Sequence, residues 1–200
     1  FLVPRLLELI PGAGIWGEEG TWIDPTDKGF WLIDPIDGTS NYAYNQHLWG
    51  VTVAYIFEGV ITLGSIVMPN VDIALIAAKG QGCWLNGKRL PDIPEGRIEP
   101  FHLMGHGSTS QISKYEHIAK ARHLGAFVAE AAYLCTQGLR AMTTNRVKLY
   151  DAAAGMLMVR ELGGIVTYLD GQPFDESQWM KDVRTPPLYM GPRDSNFPFD

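Results

Sequence analysis

The chain has 200 residues, 46% of them apolar, which is enough to bury a sizeable core in one or two domains. It carries 16 Lys and Arg residues, which are scattered, against 22 Asp and Glu residues, so its net charge is −6 and we expect no nucleic-acid partner. No apolar run reaches the roughly 18 residues that cross a bilayer, and Cys83 and Cys135 lie in apolar surroundings. We therefore expect no membrane contact and reduced, buried thiols in a cytoplasmic protein.

The first predicted element is a short amphipathic helix in FLVPRLLELI. A signal peptide fits this segment poorly, because Pro, Arg and Glu interrupt the apolar run and no small-residue cleavage site follows. Glu18 and Glu19 then stand between Gly17 and Gly20. These paired carboxylates thus come after the short helix and form the first acidic segment of the chain.

The segment WLIDPIDGTSN delivers two carboxylates from the end of an apolar run. FWLI predicts a buried strand, and Pro35 cannot donate to a sheet ladder, so the strand should end at Asp34. Asp34 and Asp37 would then be loop carboxylates suited to a cation, while Gly38 and Thr39 offer amides and a hydroxyl to a phosphate group. These residues alone leave open an ordinary Asp-Gly turn.

Three apolar runs between residues 48 and 78 predict consecutive strands, and the NG pair in CWLNGKRL predicts a hairpin turn. The stretch 91–100 carries Pro, Gly and charge without periodicity, which marks a boundary. We therefore expect an N-terminal half, residues 1–98, that carries the GEE and DPIDGT segments, and a C-terminal half, residues 99–200.

The C-terminal half predicts alternating short strands and helices. The expected elements are a strand in FHLMG, helices near 112–121 and 127–137, a strand near 139–145, a long helix over 151–163 and a strand over 165–169.

Asp151 begins the long helix in KLYDAAAG. A helix N-cap is the commoner role for an aspartate there. The small residues that follow would let this helix approach another backbone closely and bring the carboxylate to a packed site. If Glu18, Asp34, Asp37 and Asp151 converge, each pair at about 4 Å repels by roughly 4 kcal/mol at a dielectric near 20, so the cluster requires cations. Oxygen ligands favour Mg²⁺, Mn²⁺ or Ca²⁺ over zinc.

The three acidic segments resemble the motifs of a known family. GEE, WLIDPIDGTSNY and KLYDAAAGMLMVRELGG, in that order, are similar to motifs of the inositol monophosphatase family, in the lithium-sensitive, Mg²⁺-dependent phosphatase superfamily that includes fructose-1,6-bisphosphatases. The similarity covers most of the chain. It implies an α/β fold, a layered α-β-α-β-α sandwich, and a homodimer. Periodicity alone predicts only an α/β protein with two sheets possible.

The resemblance also implies roles for individual residues. Glu18 and Thr39 would activate the attacking water. Two or three Mg²⁺ ions would bind, with Mn²⁺ as a substitute and lithium as an inhibitor. Asp34 would bridge two of the ions, and the phosphate group would lie on the Gly38 and Thr39 amides. The implied metal ligands are Glu18, Asp34, the carbonyl oxygen of Ile36, Asp37 and Asp151.

The substrate side departs from the animal inositol monophosphatases. That group places a glutamate seven residues before the aspartate matched by Asp151, where this chain has Thr144, and Ala126 and Phe127 follow Gly125 at the matching GTA triplet. A neutral hydroxyl cannot accept two ring hydroxyls as a carboxylate does. We expect these residues, with Asp37 on the phosphate side, to bind a substrate that is less polar or less strictly selected than inositol monophosphate.

Members of the family carry two more helices before the GEE motif, including an aspartate that bonds the threonine matched by Thr39. Nothing in this chain corresponds to them, so we expect a fold without that helix pair and an apolar face that something else covers. The sequence leaves open whether the pair belongs to the protein.

The leading hypothesis is a Mg²⁺-dependent phosphomonoesterase that hydrolyses a small polyol or sugar phosphate by attack of a metal-activated water. Alternatives within the superfamily are a fructose-1,6-bisphosphatase, a histidinol-phosphatase and a 3'-phosphonucleotide phosphatase. An aspartyl-phosphate phosphatase with Asp34 as nucleophile would place its two aspartates one residue apart, whereas two residues separate Asp34 from Asp37. A catalytically impaired scaffold is the remaining hypothesis.

Overall fold

The computed structural model describes residues 1–179 and 184–199. The N-terminal half forms an eight-stranded sheet in the order β2-β1-β3-β4-β5-β6-β7-β8, in which β1 and β3 pair in parallel and the other neighbours are antiparallel. These strands are β1 (Gly14–Gly17), β2 (Trp22–Ile23), β3 (Phe30–Asp37), β4 (Gly50–Phe57), β5 (Val60–Met68), β6 (Ile73–Ala78), β7 (Gly82–Leu85) and β8 (Lys88–Arg89).

A second sheet of five strands comes from the C-terminal half, in the order β10-β9-β11-β13-β12. Its strands are β9 (Leu103–His106), β10 (Lys120–Arg122), β11 (Ala141–Thr143), β12 (Ile165–Tyr168) and β13 (Leu188–Gly191). β9 pairs in parallel with β10 and β11, and β13 pairs antiparallel with β11 and β12.

Five helices complete the layers among the described residues. They are α1 (Leu2–Leu9), α2 (Thr39–Ala43), α3 (Thr109–Tyr115), α4 (Phe127–Cys135) and α5 (Leu149–Glu161). α4 and α5 lie between the two sheets, in one core cluster that contains buried residues of both. α1 packs on the outer face of the large sheet, and α3 packs on the outer side of the small one. The predicted α/β fold with an α-β-α-β-α sandwich is therefore confirmed.

Small side chains place α5 close to its neighbours, as the AAAG run predicts. A Cβ atom added at Gly64 of β5 would lie 3.0 Å from the Cα atom of Ala154, and one added at Gly155 would lie 2.7 Å from the Cβ atom of Ala131 on α4. Since Asp151 is on the first turn of this helix, the same packing positions its carboxylate.

Several predicted boundaries differ from the structure. The helix expected over 112–121 ends at Tyr115, because the residues that follow it pair with β9 as a strand. The long helix begins at Leu149 rather than at Asp151. The NG hairpin is confirmed, with φ of 48° at Asn86 and 79° at Gly87.

Cys83 and Cys135 are buried and free, as predicted. Although they are far apart in sequence, the two thiols are neighbours in the fold, at β7 and at the end of α4, and Cys135 lowers the pKa of Cys83. In the part of the chain that the structure describes, no helix is long and apolar enough to span a membrane. The division into halves at residue 98 stays a prediction.

Candidate active site

Asp34 and Asp37 flank a bulge in β3, so the prediction that the strand ends at Asp34 is wrong. The strand continues to Asp37, and its register against β4 shifts between these two residues. Pro35 lies within the shift, where its missing N–H costs no ladder bond. The Asp34 Oδ1 atom accepts a hydrogen bond of 2.9 Å from the amide of Ile36, which fixes the turn.

Glu18 lies beside Asp34 because of strand pairing. Gly17 of β1 aligns with Ile33 of β3, and the Glu18 amide donates to the Ile33 carbonyl at 3.0 Å. Glu18 therefore follows a strand, and the predicted short helix, α1, lies upstream of that strand. The parallel pairing places the Glu18 carboxylate at the same edge of the sheet as that of Asp34.

Asp151 reaches this edge from α5. It is the third residue of the helix, and its Oδ2 atom accepts a 3.4 Å hydrogen bond from the amide of Lys148, which precedes the helix. The capping role anticipated for Asp151 is thus present from within the first turn. Its other oxygen, Oδ1, is buried and has no hydrogen-bond partner among the described residues.

Glu18, Asp34 and Asp151 each offer an oxygen atom within 4.8 Å of the other two. Burial raises the pKa of Asp34 to about 9, and the neighbouring charges of Asp37, Glu18 and Asp151 add to the increase. Burial, followed by the charge of Asp37, raises the pKa of Asp151 to about 7. Carboxyl groups that resist ionisation at this spacing fit a bound cation, and an all-oxygen donor set fits a hard divalent one.

Asp37 is near this trio but turns toward α4. Its Oδ2 atom accepts a short hydrogen bond from the amide of Val128, in the first turn of that helix. Burial raises the pKa of Asp37 to about 6, while the amides of Val128 and Phe127 act in the opposite direction. Asp37 therefore joins the acidic strand to α4, and one of its oxygens is occupied by backbone.

The predicted phosphate loop follows at once. Gly38 has φ of 87°, and an added Cβ atom would lie 2.7 Å from the Cβ atom of Ala126, so this position requires glycine twice over. The Gly38 amide also acts to lower the pKa of Asp37, against the larger effect of burial. Thr39 begins α2, and its hydroxyl donates to the Ile36 carbonyl at 3.0 Å.

A cavity of about 200 Å³ lies between the acidic residues and α4. All four residues predicted for the leaving-group side line it together with two of the aspartates. Its lining residues are Asp37, Gly107, His123, Gly125, Ala126, Phe127, Glu130, Thr144, Val147 and Asp151.

Known proteins are similar to this chain in architecture and in sequence. A profile described as the inositol monophosphatase family matches residues 1–188. The chain belongs to the inositol monophosphatase family. The resemblance that the three acidic motifs indicated is thereby confirmed.

Individual relatives agree with this membership. A fructose-1,6-bisphosphatase/inositol-1-monophosphatase of Thermotoga maritima is 29% identical over 182 residues, which cover 86% of this chain and 68% of that protein. An inositol-1-monophosphatase of Caulobacter vibrioides is 30% identical, over 88% of this chain and 75% of that protein. The solved structure of a Thermotoga maritima IMPase has a TM-score of 0.83 at 28% identity and covers 95% of this chain and 73% of its own.

Other relatives carry a different name. A protein of Pseudomonas aeruginosa named Nus factor SuhB is 28% identical over 187 residues, which cover 85% of this chain and 69% of that protein. The relatives therefore include proteins named for an enzymatic activity and proteins named as Nus factors.

Within this member of the inositol monophosphatase family, Thr144 is not a free substrate ligand. Its Oγ1 atom accepts a 3.0 Å hydrogen bond from the amide of Leu188, which ties the end of β11 to β13. Phe127 packs toward α5, since its Cε1 atom would lie 2.9 Å from a Cβ atom at Gly155. Both residues line the cavity, and their substrate contacts stay predictions.

Three polar residues near the site were missed from the sequence. His123 and Glu130 line the cavity, and Asn41 ties α2 to the opposite wall by donating to the carbonyls of Leu48 and Leu124 at 2.6 and 2.8 Å. A signal for Glu130 was present, because it is the one charged residue in the apolar helix FVAEAAYLC and is therefore a candidate for a buried role.

Proposed function

We propose that this protein is a Mg²⁺-dependent phosphomonoesterase that hydrolyses a small polyol or sugar phosphate. The observation that carries the proposal is the convergence of Glu18, Asp34 and Asp151 within 4.8 Å, beside the 200 Å³ cavity that Asp151 helps to line. Carboxylates so placed repel one another, and one buried oxygen of Asp151 has no partner in the described residues. Membership of a phosphatase family supports the same reaction class.

Two Mg²⁺ ions held by this cluster would polarise the phosphoryl oxygen, acidify a water molecule and neutralise charge on the leaving oxygen. We assign them to the oxygens of Glu18, Asp34 and Asp151, with Asp37 and the Ile36 carbonyl completing the set. The Asp37 oxygen that is not bonded to Val128 is the one available for this role. A third Mg²⁺ ion, replacement by Mn²⁺ and inhibition by lithium belong to the same proposal.

The remaining residues of the site bind the phosphate group and orient the attacking water molecule. The hydroxyl of Thr39 donates its hydrogen bond to the Ile36 carbonyl. Its oxygen therefore acts as an acceptor toward a water molecule and binds one of the water's hydrogens. Glu18, whose side chain is exposed beside Asp34, takes the other proton. The amides of Gly38 and Thr39 face the phosphate group.

A phosphate-release screen tests the proposal. Esters of inositol, fructose, nucleotides and histidinol are offered with saturating Mg²⁺ and, separately, with excess EDTA. We expect release from polyol or sugar phosphates in Mg²⁺ alone. Preference for fructose 1,6-bisphosphate, histidinol phosphate or a 3'-phosphonucleotide would select that alternative. Trapping of a phosphoenzyme on Asp34 would instead favour the aspartyl-phosphate mechanism.

A scaffold function is the second candidate, because relatives named Nus factor SuhB match the chain over a similar length. It predicts a folded protein that releases no phosphate from any ester in the screen. Retention of Mg²⁺ binding without turnover would point to this role.

The finer features of the proposal concern selectivity and context. With Thr144 bonded to Leu188, the site lacks a carboxylate where animal inositol monophosphatases have one, so selectivity for inositol should be weak. Free buried thiols at Cys83 and Cys135 support a cytoplasmic location. The exposed apolar side chains of Leu63, Val67 and Ile76 on the outer face of the large sheet are a surface that a homodimer could cover, and size-exclusion chromatography with light scattering checks this.

A further inference from the structure

His123 occupies the leaving-group side of the cavity, outside the acidic cluster. It lines the cavity with Asp37, Asp151 and Thr144, and about two fifths of its side chain is exposed. It precedes Leu124, on the loop that connects β10 to α4. A polar ring in this position meets the alcohol part of any ester whose phosphate lies on the acidic side.

A backbone contact determines which nitrogen of His123 carries the proton. The Nδ1 atom lies 2.7 Å from the carbonyl oxygen of His106. A carbonyl oxygen only accepts hydrogen bonds, so Nδ1 must be the protonated nitrogen of the neutral ring. The Nε2 atom therefore carries a lone pair, and we find no protein partner for it in residues 1–179 and 184–199. Nε2 is an acceptor available to the cavity.

The loop that carries His123 is held in place by Glu130. The Oε1 atom of this buried carboxyl accepts a 3.3 Å hydrogen bond from the amide of Leu124 and lies 3.9 Å from His123 Nδ1. Asn41 fixes the same loop through the Leu124 carbonyl at 2.8 Å. The imidazole is thus attached at its backbone and at one ring nitrogen, which leaves little freedom for the other nitrogen.

Outside the acidic cluster, the other polar side chains of the described cavity wall are Glu130 and Thr144, and both are already engaged: Glu130 Oε1 accepts the Leu124 amide. Thr144 Oγ1 already accepts the Leu188 amide, so what it has left for a ligand is mainly its single proton. A hydroxyl group of a substrate needs an acceptor for its own proton when it leaves water. His123 Nε2 provides this acceptor, which Thr144 does not.

We propose that Nε2 of His123 accepts a hydrogen bond from a hydroxyl group of the leaving alcohol, and that His123 therefore selects phosphate esters with a hydroxyl next to the ester carbon. The proposal rests on the phosphomonoesterase function above and names the residue that sets its substrate class. Esters of simple alkyl alcohols fill the same space and leave Nε2 without a partner, so they should be poorer substrates.

A matched pair of esters isolates this contact. Glycerol 2-phosphate and isopropyl phosphate share one carbon skeleton, and only the first carries hydroxyl groups beside the ester carbon. The measurement is the ratio of kcat/KM for the first ester to that for the second, with saturating Mg²⁺. A general loss of folded enzyme changes both values equally and leaves the ratio unchanged, so the ratio reports the contact and not stability.

Two variants of His123 distinguish the contributions of its two ring nitrogens. His123→Asn keeps an amide N–H that can reach the His106 carbonyl but has no atom at the position of Nε2. His123→Gln is longer and places its amide oxygen near that position. His117→Asn makes the same change at an exposed histidine outside the cavity and is the control.

We expect the ratio to fall roughly 10-fold in His123→Asn, the value of one neutral hydrogen bond, to recover at least in part in His123→Gln and to stay unchanged in His117→Asn. An equal loss on both esters, or no loss on either, would overturn the role of His123 while leaving the phosphatase function intact. Absence of phosphate release from every ester by the unmodified protein would overturn both.

If His123→Asn does not fold, the unmodified protein and His123→Gln still decide. A ratio near one in the unmodified protein contradicts the proposal, because no hydroxyl group is then being recognised.

Discussion

Asp34→Asn should inactivate the enzyme and at the same time stabilise its metal-free form. Asp34 is almost fully buried, and its oxygen lies within 4.8 Å of oxygens of Glu18 and Asp151. Asparagine keeps the shape and can still accept the Ile36 amide, which now bonds Asp34 Oδ1 at 2.9 Å. The substitution therefore removes a charge and a proton-binding site and little else.

The size of both effects follows from the spacing. At 4.8 Å and an effective dielectric near 20, one pair of charges interacts by about 3.5 kcal/mol. Loss of at least that much attraction for a bound cation corresponds to a fall in rate of roughly 300-fold to 1,000-fold or more. Without metal, the same term is repulsion, which proton uptake by Asp34 already relieves in part, so we expect a gain of about 1–3 kcal/mol in the free energy of unfolding.

Phosphate release in Mg²⁺ and the Tm in EDTA test the two effects together. At 2–4 °C per kcal/mol for a chain of this size, the Tm in EDTA should rise by roughly 2–12 °C. Asp27→Asn, which changes an exposed aspartate paired with Lys28 at 3.5 Å, is the control and should alter neither value appreciably. More than a tenth of the activity remaining in Asp34→Asn, or a lower Tm in EDTA, would refute the argument.

Three further predictions concern the same site. The pKa values of Asp37, Asp151 and Asp34 are raised from 3.8 to about 6, 7 and 9, so their contribution to stability is complete below about pH 4 and is lost as the pH rises through these values; the Tm in EDTA should fall from about pH 4 to about pH 9, and Mg²⁺ should reduce the fall. Thr39→Ala should lower kcat with little change in KM, because its hydroxyl orients water; a raised KM at normal kcat contradicts this. Gly38→Ala should cost about 2–4 kcal/mol in chemical denaturation, against about 1 kcal/mol for Gly20→Ala, where φ is also positive but nothing lies within 4 Å of an added Cβ.

The parts of the site that are local in sequence could be predicted, and those made by strand pairing could not. The segment WLIDPIDGTSN predicts two carboxylates and a tight turn. The strand nevertheless continues past Pro35, because the missing N–H falls at a bulge, where no ladder hydrogen bond is needed. No local pattern shows that Glu18 continues a strand parallel to β3 and so lies next to Asp34. The sequence predicts only that these carboxylates would need cations if they converge, whereas the convergence itself depends on the pairing of β1 with β3 and on the packing of α5.

Polar contacts between residues far apart in sequence could not be predicted either. Asp37 accepts a hydrogen bond from the amide of Val128, 91 residues away, so one of its two oxygens connects the strand to α4, which no local pattern indicates. His123 lies inside the segment RHLGAF, but its importance depends on the carbonyl of His106 on a neighbouring strand. Thr144 was identified by position, whereas its bond to Leu188 required the fold. Sequence patterns report which groups are present, and pairing decides which of their atoms are free.

Gly155→Ala tests whether close packing of α5 holds Asp151 in the site. Alanine in place of a helical glycine stabilises a helix by about 1 kcal/mol, so propensity alone predicts a higher Tm. The added Cβ atom would lie 2.7 Å from the Cβ atom of Ala131 and 2.9 Å from Cε1 of Phe127, and such overpacking costs about 1–3 kcal/mol.

The steric cost should exceed the gain in propensity, because the Ala131 Cβ atom is fixed to a helix and cannot turn away. We therefore expect a Tm lower by roughly 2–6 °C and a higher Mg²⁺ requirement for activity, since Asp151 lies one turn earlier on the displaced helix. Adding Ala131→Gly removes the closest atom, so a double-mutant cycle should give a coupling of about 1 kcal/mol or more in favour of the pair. A higher Tm in Gly155→Ala with no coupling to Ala131 would mean that the space between α4 and α5 can accept an extra methyl group. The position of Asp151 would then be determined by its hydrogen bond to Lys148 rather than by the packing of α5.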